Sequence, residues 1–101
     1  MAAIIVVHTS PVDPGSEAAL LEYFNGIHKK EVGELFPELE SFKAYKDVTA
    51  DGSSRITTVS TIPGLNGPEA AARLASADFT QTPAMAVTGE LAPQVHIGEL
   101  R

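Results

Sequence analysis

The chain has 101 residues and carries 13 acidic against 7 basic ones, for a formal net charge of −6. That length fits a single domain over residues 1–101, and 44% hydrophobic with 20% charged residues fits a folded globular chain rather than a disordered one. The absence of cysteine excludes disulfides, thiol nucleophiles and cysteine-ligated metals, and the absence of a basic run argues against nucleic acid as a partner. The longest apolar run, residues 2–7, falls far short of the ~20 residues needed to span a bilayer. It also lacks the preceding positive charge of a signal peptide, so a cytoplasmic protein with no membrane association is expected.

Residues 3–9 (AIIVVHT) are β-branched and apolar on both alternating faces, the pattern of a strand covered on both sides. Pro11, Pro14 and Gly15 break it, and Asp13 or Ser16 can cap a helix beginning there. Residues 16–36 read as that helix. At 100° per residue, Leu20, Leu21, Phe24, Ile27, Val32 and Leu35 fall within one arc of roughly 140°. His28 and Glu31 lie inside that apolar arc as polar residues. Pro37 ends the helix, because the residue before a proline is pushed out of the α region.

Residues 41–48 (SFKAYKDV) alternate as a strand, with Phe42, Ala44 and Val48 on one face and Tyr45 on the other. Residues 55–62 (RITTVSTI) form a third strand, and the intervening Asp51-Gly52 predicts a hairpin. After a break at Pro63, Gly64 and Gly67, Pro68 is placed to open a second helix reaching about residue 77. Its ring of Ala70, Ala71, Ala72, Leu74 and Ala75 is small, so it can pack close to a sheet. Within 80–90, Thr82 can cap one or two further helical turns, and 94–100 reads as the last strand.

The predicted order is β-α-β-β-α-β, the ferredoxin-like order of an α+β fold: a four-stranded antiparallel sheet with the helices on one face. The first strand carries Ala3, Ile5 and Val7 on one face and Ile4 and Val6 on the other, so both need cover, and two helices can cover only one. A homodimer packing sheet against sheet is therefore expected.

Several of these residues together resemble the EthD-like branch of the dimeric α+β barrel superfamily. They are Pro11, Pro14 and Gly15, then Tyr23-Phe24, His28, Glu31 and Val32, then Leu35-Phe36-Pro37 and Phe42. Lys30 stands where that family often has proline, and Glu38 where it often has glycine. The resemblance implies a dimeric barrel, a small hydrophobic ligand held between sheet and helices, and His28 as the recurrent polar residue. Characterised relatives include cyclases, decarboxylases, dehydratases, isomerases and cofactor-free monooxygenases.

His28 is the first candidate for general acid or base, since an imidazole exchanges protons near neutral pH. Glu31 sits three residues on, within reach of it. Tyr23 and Tyr45 are candidate donors to a substrate carbonyl. Phe24, Phe79 and Met85 are expected to line the ligand pocket, with residues 78–90 as its rim. His8 and His96 lie on neighbouring strands and face either the pocket or the dimer interface. A His-x-x-Glu pair supplies too few ligands for a metal, and no glycine-rich phosphate loop comes after a strand, so neither metal nor cofactor is expected. The expected function is a small cofactor-free enzyme. It would act by general acid–base chemistry on a small, largely apolar carbonyl or phenolic compound, as a cyclase, isomerase, decarboxylase or dehydratase does. The alternatives are a non-enzymatic dimeric small-molecule-binding or stress-related protein, and a cofactor-free monooxygenase.

Overall fold

The computed structural model describes residues 1–86, 89 and 91–101. Four strands, β1 (Ala2–Thr9), β2 (Ser41–Val48), β3 (Ser54–Pro63) and β4 (Gln94–Leu100), form one sheet in the order β2-β3-β1-β4. Every neighbouring pair is antiparallel. The two β-branched strands thus pair at the centre, with Val6 opposite Val59 and Val7 opposite Thr58, where such side chains pack best. The β2–β3 hairpin turns over Thr49 to Ser53, where Gly52 takes φ 87°, a left-handed conformation that costs glycine little.

β1 and β2 both run antiparallel to β3, so they run parallel to each other and need a crossover between them. That crossover is helical: α1 (Glu17–Tyr23), a π turn (Phe24–His28) and α2 (Lys29–Leu35) succeed one another without a break. An uninterrupted α-helix is the sequence expectation, and the π turn corrects it. Each i→i+5 bond takes one extra residue into the turn, which sets later side chains back by about 100°. Ile27 is thereby turned outward and is 52% exposed, against its predicted place in the apolar arc. Phe36, outside that arc, rotates inward and is buried, and Val32 is buried as its place in the arc predicts.

The second crossover is α3 (Gly67–Ser76). Asn66 and Glu69 cap it reciprocally: the Glu69 amide donates to Asn66 Oδ1 at 2.8 Å and the Asn66 amide to Glu69 Oε1 at 3.2 Å. Arg73 ties α3 to the end of α2, donating from both terminal nitrogens to the Glu38 carboxylate at 2.8 Å while lying over the Phe36 ring. Ala3 and Ile5 on β1, Val32 on α2 and Ala70 on α3 share one buried cluster, so the helices sit on the same face of the sheet. A second cluster, Leu20, Tyr23, Phe24, Ile56 and Ala84, lies toward the other end of the helical crossover.

The fold is α+β with a four-stranded antiparallel sheet, compatible with the ferredoxin-like expectation. The short helix expected within 80–90 is not formed among the described residues. Thr82 to Met85 is a single turn, and Met85 bridges to Pro11 instead. Val87, Thr88 and Glu90, which also fall in that stretch, lie outside the described residues.

Candidate functional site

Between the inner sheet face and the helices lies a cavity of about 460 Å³. This is within the range of about 300–1,000 Å³ typical of small-molecule sites. Strand alternation selects its floor: Ile5, Val7 and Thr9 of β1 project into it, as do Thr58 and Ser60 of β3. The helical crossover supplies Phe24 and His28, and the 77–86 segment supplies Phe79 and Met85. On the side of α3 and β4 the wall is low, built from the exposed Ala71 and Ala75 and from Val95.

His28 enters this cavity from the last position of the π turn. Four aromatic rings surround it, with centroids at 4.7 Å (Phe79), 5.1 Å (Phe24), 5.5 Å (Tyr23) and 5.9 Å (Phe42). Burial among them disfavours the imidazolium and pushes its pKa down to about 4, with the Glu31 charge opposing the shift. His28 is therefore neutral at pH 7. Tyr23 Oη lies 3.5 Å from His28 Nδ1 and donates its one proton to the Thr80 carbonyl. The proton between Tyr23 and His28 then belongs to Nδ1, an assignment from network logic that leaves the lone pair on Nε2. Burial, and next the Glu31 charge, raises the Tyr23 pKa and keeps the phenol protonated.

Glu31 faces Thr80. Its Oε1 accepts from the Thr80 amide and its Oε2 from the Thr80 hydroxyl, both at 2.9 Å. The structure thus gathers His28, Tyr23, Phe24, Phe79 and Met85 about one cavity and sets Glu31 at its edge. Tyr45, His8 and His96 are not brought there. Phe42 and Ala44 take the inner face of β2, so alternation turns Tyr45 to the far face, where it is 47% exposed. His8 likewise alternates with Val7 and Thr9. On the far face His8 Nδ1 bonds Thr57 Oγ1 at 2.9 Å and its ring meets His96 edge-on at 5.7 Å. Thr57 passes its own proton to Asp47 at 3.2 Å, and Arg55 holds Asp47 at 2.8 Å. Burial, then the Arg55 charge and His96, lower the His8 pKa, with Asp47 opposing.

Three features of the cavity have no counterpart among the sequence expectations: Thr80 as an anchor, and Thr58 and Ser60 on the floor. The two floor residues do carry a signal, since Ile56, Thr58, Ser60 and Ile62 share one face of β3 and two of them are polar. Thr9 Oγ1, at the end of the floor, is buried with no hydrogen-bond partner among the described residues. Thr9→Val is therefore expected to raise stability by about 1 kcal/mol, because it removes an unsatisfied hydroxyl without changing the shape. Thr57→Val, which breaks the His8–Asp47 bridge, is expected to lower it. Urea denaturation of both variants checks the opposite signs.

Among the described residues no helix is long and apolar enough to cross a membrane, and no cluster of three or more His, Asp or Glu stands ready to hold a metal. No family model, curated protein or solved structure matches the chain.

Proposed function

We propose that the chain binds a small, largely apolar compound bearing a carbonyl or phenolic oxygen in this cavity, and that His28 exchanges a proton with it. The observation carrying this reading is the neutral imidazole within an aromatic-walled cavity of ligand size. An apolar body fits Phe24, Phe79, Val7 and Ile5 by burial alone, while the imidazole is the basic group available to the ligand's acidic position. The hydroxyls of Thr58 and Ser60 on the floor are the donors at hand for an oxygen that becomes negative. On this reading the protein is a cofactor-free enzyme of acid–base type, allied to the EthD-like branch.

A second reading, a binding protein without turnover, has one observation in its favour. The Tyr23 proton and both Glu31 oxygens are engaged by Thr80, so neither serves His28 as a partner acid. Titration with a panel of small phenols and cyclic ketones, tracked by amide and methyl NMR shifts, tests the shared premise. Shifts concentrated at Val7, Phe24, Phe79 and Met85 are expected, and a panel that moves none of them at millimolar concentration overturns it. Chemical conversion of a bound member then separates enzyme from binding protein.

The finer architecture belongs to the same reading. The far sheet face carries half-buried Ile4, Val6 and Val59 beside exposed Tyr45 and Leu100, with neither helical crossover over it. We take a second copy as its cover, giving a dimeric α+β barrel. Light scattering is expected to give twice the 10.6 kDa chain mass. A monomer at micromolar concentration removes the dimer and leaves the cavity reading intact.

A further inference from the structure

The segment from 77 to 86 closes the His28 side of the cavity with little regular structure of its own. It leaves α3 at Ala77, whose amide donates to the Leu74 carbonyl. It is fixed at its far end where the Val12 amide donates to the Ala84 carbonyl at 3.0 Å and Met85 bridges to Pro11. Between these ends one residue holds it to the helical crossover. All the hydrogen-bonding groups of Thr80 are engaged: the amide and hydroxyl by Glu31, the carbonyl by Tyr23. The neighbouring Phe79 packs on the His28 ring at 4.7 Å.

Tyr23 and Glu31 bracket His28, five residues before it and three after. The π turn between them is what lets residues at that spacing meet one strand of chain. We infer that Glu31 is a positioning residue, which acts through Thr80 to hold Phe79 over His28 as a strap closing one wall of the cavity. Glu31 touches no reacting group in this arrangement. Its carboxylate is engaged by Thr80, and beside its direct charge on the imidazole it acts there through the Phe79 ring that excludes water. Ligand access on this side requires release of the strap. The catalytic meaning of the strap rests on the proposed role of His28, whereas the latch itself is readable in the ligand-free protein.

The charge of Glu31 and the latch of Glu31 push the His28 titration in opposite directions. As a nearby anion, Glu31 favours the imidazolium, so losing the charge alone lowers the His28 pKa. As a latch it keeps water from the ring, so losing the latch raises it. Tyr23 and Glu31 are the titratable groups that face His28 here, and the phenol stays protonated through the acid range. The experiment is an NMR titration of the His28 ring in the free wild-type chain, Glu31→Ala, Thr80→Val and Phe79→Ala, with amide hydrogen exchange at Thr80. Glu31→Ala is expected to speed Thr80 exchange about tenfold. Thr80→Val, which alters no charge, is expected to raise the His28 pKa. Phe79→Ala raises it while Thr80 stays protected. A His28 pKa that stays put or falls in Thr80→Val and Phe79→Ala, neither of which alters a charge, overturns the latch. A failed base leaves these titrations unchanged and appears only in turnover.

Discussion

Acidification will weaken the fold by about 3 kcal/mol through His28 alone. In the unfolded chain an imidazole titrates near ~6.5. In the folded one burial among Phe79, Phe24, Tyr23 and Phe42 holds His28 down to about 4. Between those values the unfolded chain binds a proton that the folded one refuses, so stability rises with pH across the window. The contribution is complete above about pH 6.5 and is lost progressively as the pH falls toward 4; at about 1.4 kcal/mol per unit the whole shift comes to about 3 kcal/mol. Asp47, Asp51, Glu38 and Glu99 also have lowered pKa values in the fold, through their hydrogen bonds. They weaken the protein in acid too, but their windows open at the ordinary carboxylate values and run downward from there. The comparison that isolates the histidine is therefore urea denaturation of wild type and His28→Gln from pH 7.5 to 4.5. The wild-type stability is expected to converge on that of the variant as the pH falls. Parallel curves would mean that water reaches the imidazole and that the aromatic cage does not exclude it.

The strands were legible because their pattern is local. β1 and β3 announce themselves in β-branched runs, and the hairpin in Asp51-Gly52. Helix position was legible too, from the apolar arc and Pro37, but helix phase was not. A constant 100° step placed Ile27 inward, and the π turn that puts it outward leaves no residue-type signature. His28 stood out as a polar residue on an apolar face, and the rephased helix delivers it to the cavity. The strand residues show a different limit. Alternation separates Tyr45 from Phe42, and His8 from Val7, but which set faces inward is decided by where the helices land. Thr80 had no signal at all. An exposed threonine in an irregular segment becomes an anchor only when Glu31, distant in sequence, is folded against it.

Replacing His28 should also remove the chemistry. With a member of the phenol or ketone panel that the wild type converts, His28→Gln is expected to lower kcat by about 10²–10⁴ while KM changes little. Glutamine keeps a polar amide of similar reach, so binding of an apolar body persists, but it cannot accept a proton. The neutral Nε2 is the base form at pH 7, because His28 titrates at about 4. Proton transfer makes an imidazolium beside a new oxyanion, and in an apolar cavity the two charges stabilise each other more than either is stabilised alone. The Glu31 charge favours the same imidazolium. The Tyr23 proton does not contribute to the oxyanion, because the Thr80 carbonyl holds it. Accordingly kcat/KM is expected to rise with pH through about 4, the His28 value in the free protein, and to be flat from there to neutrality. Wild-type turnover by His28→Gln, with the same acid limb, would assign the imidazole to packing and leave the cavity as a binding site.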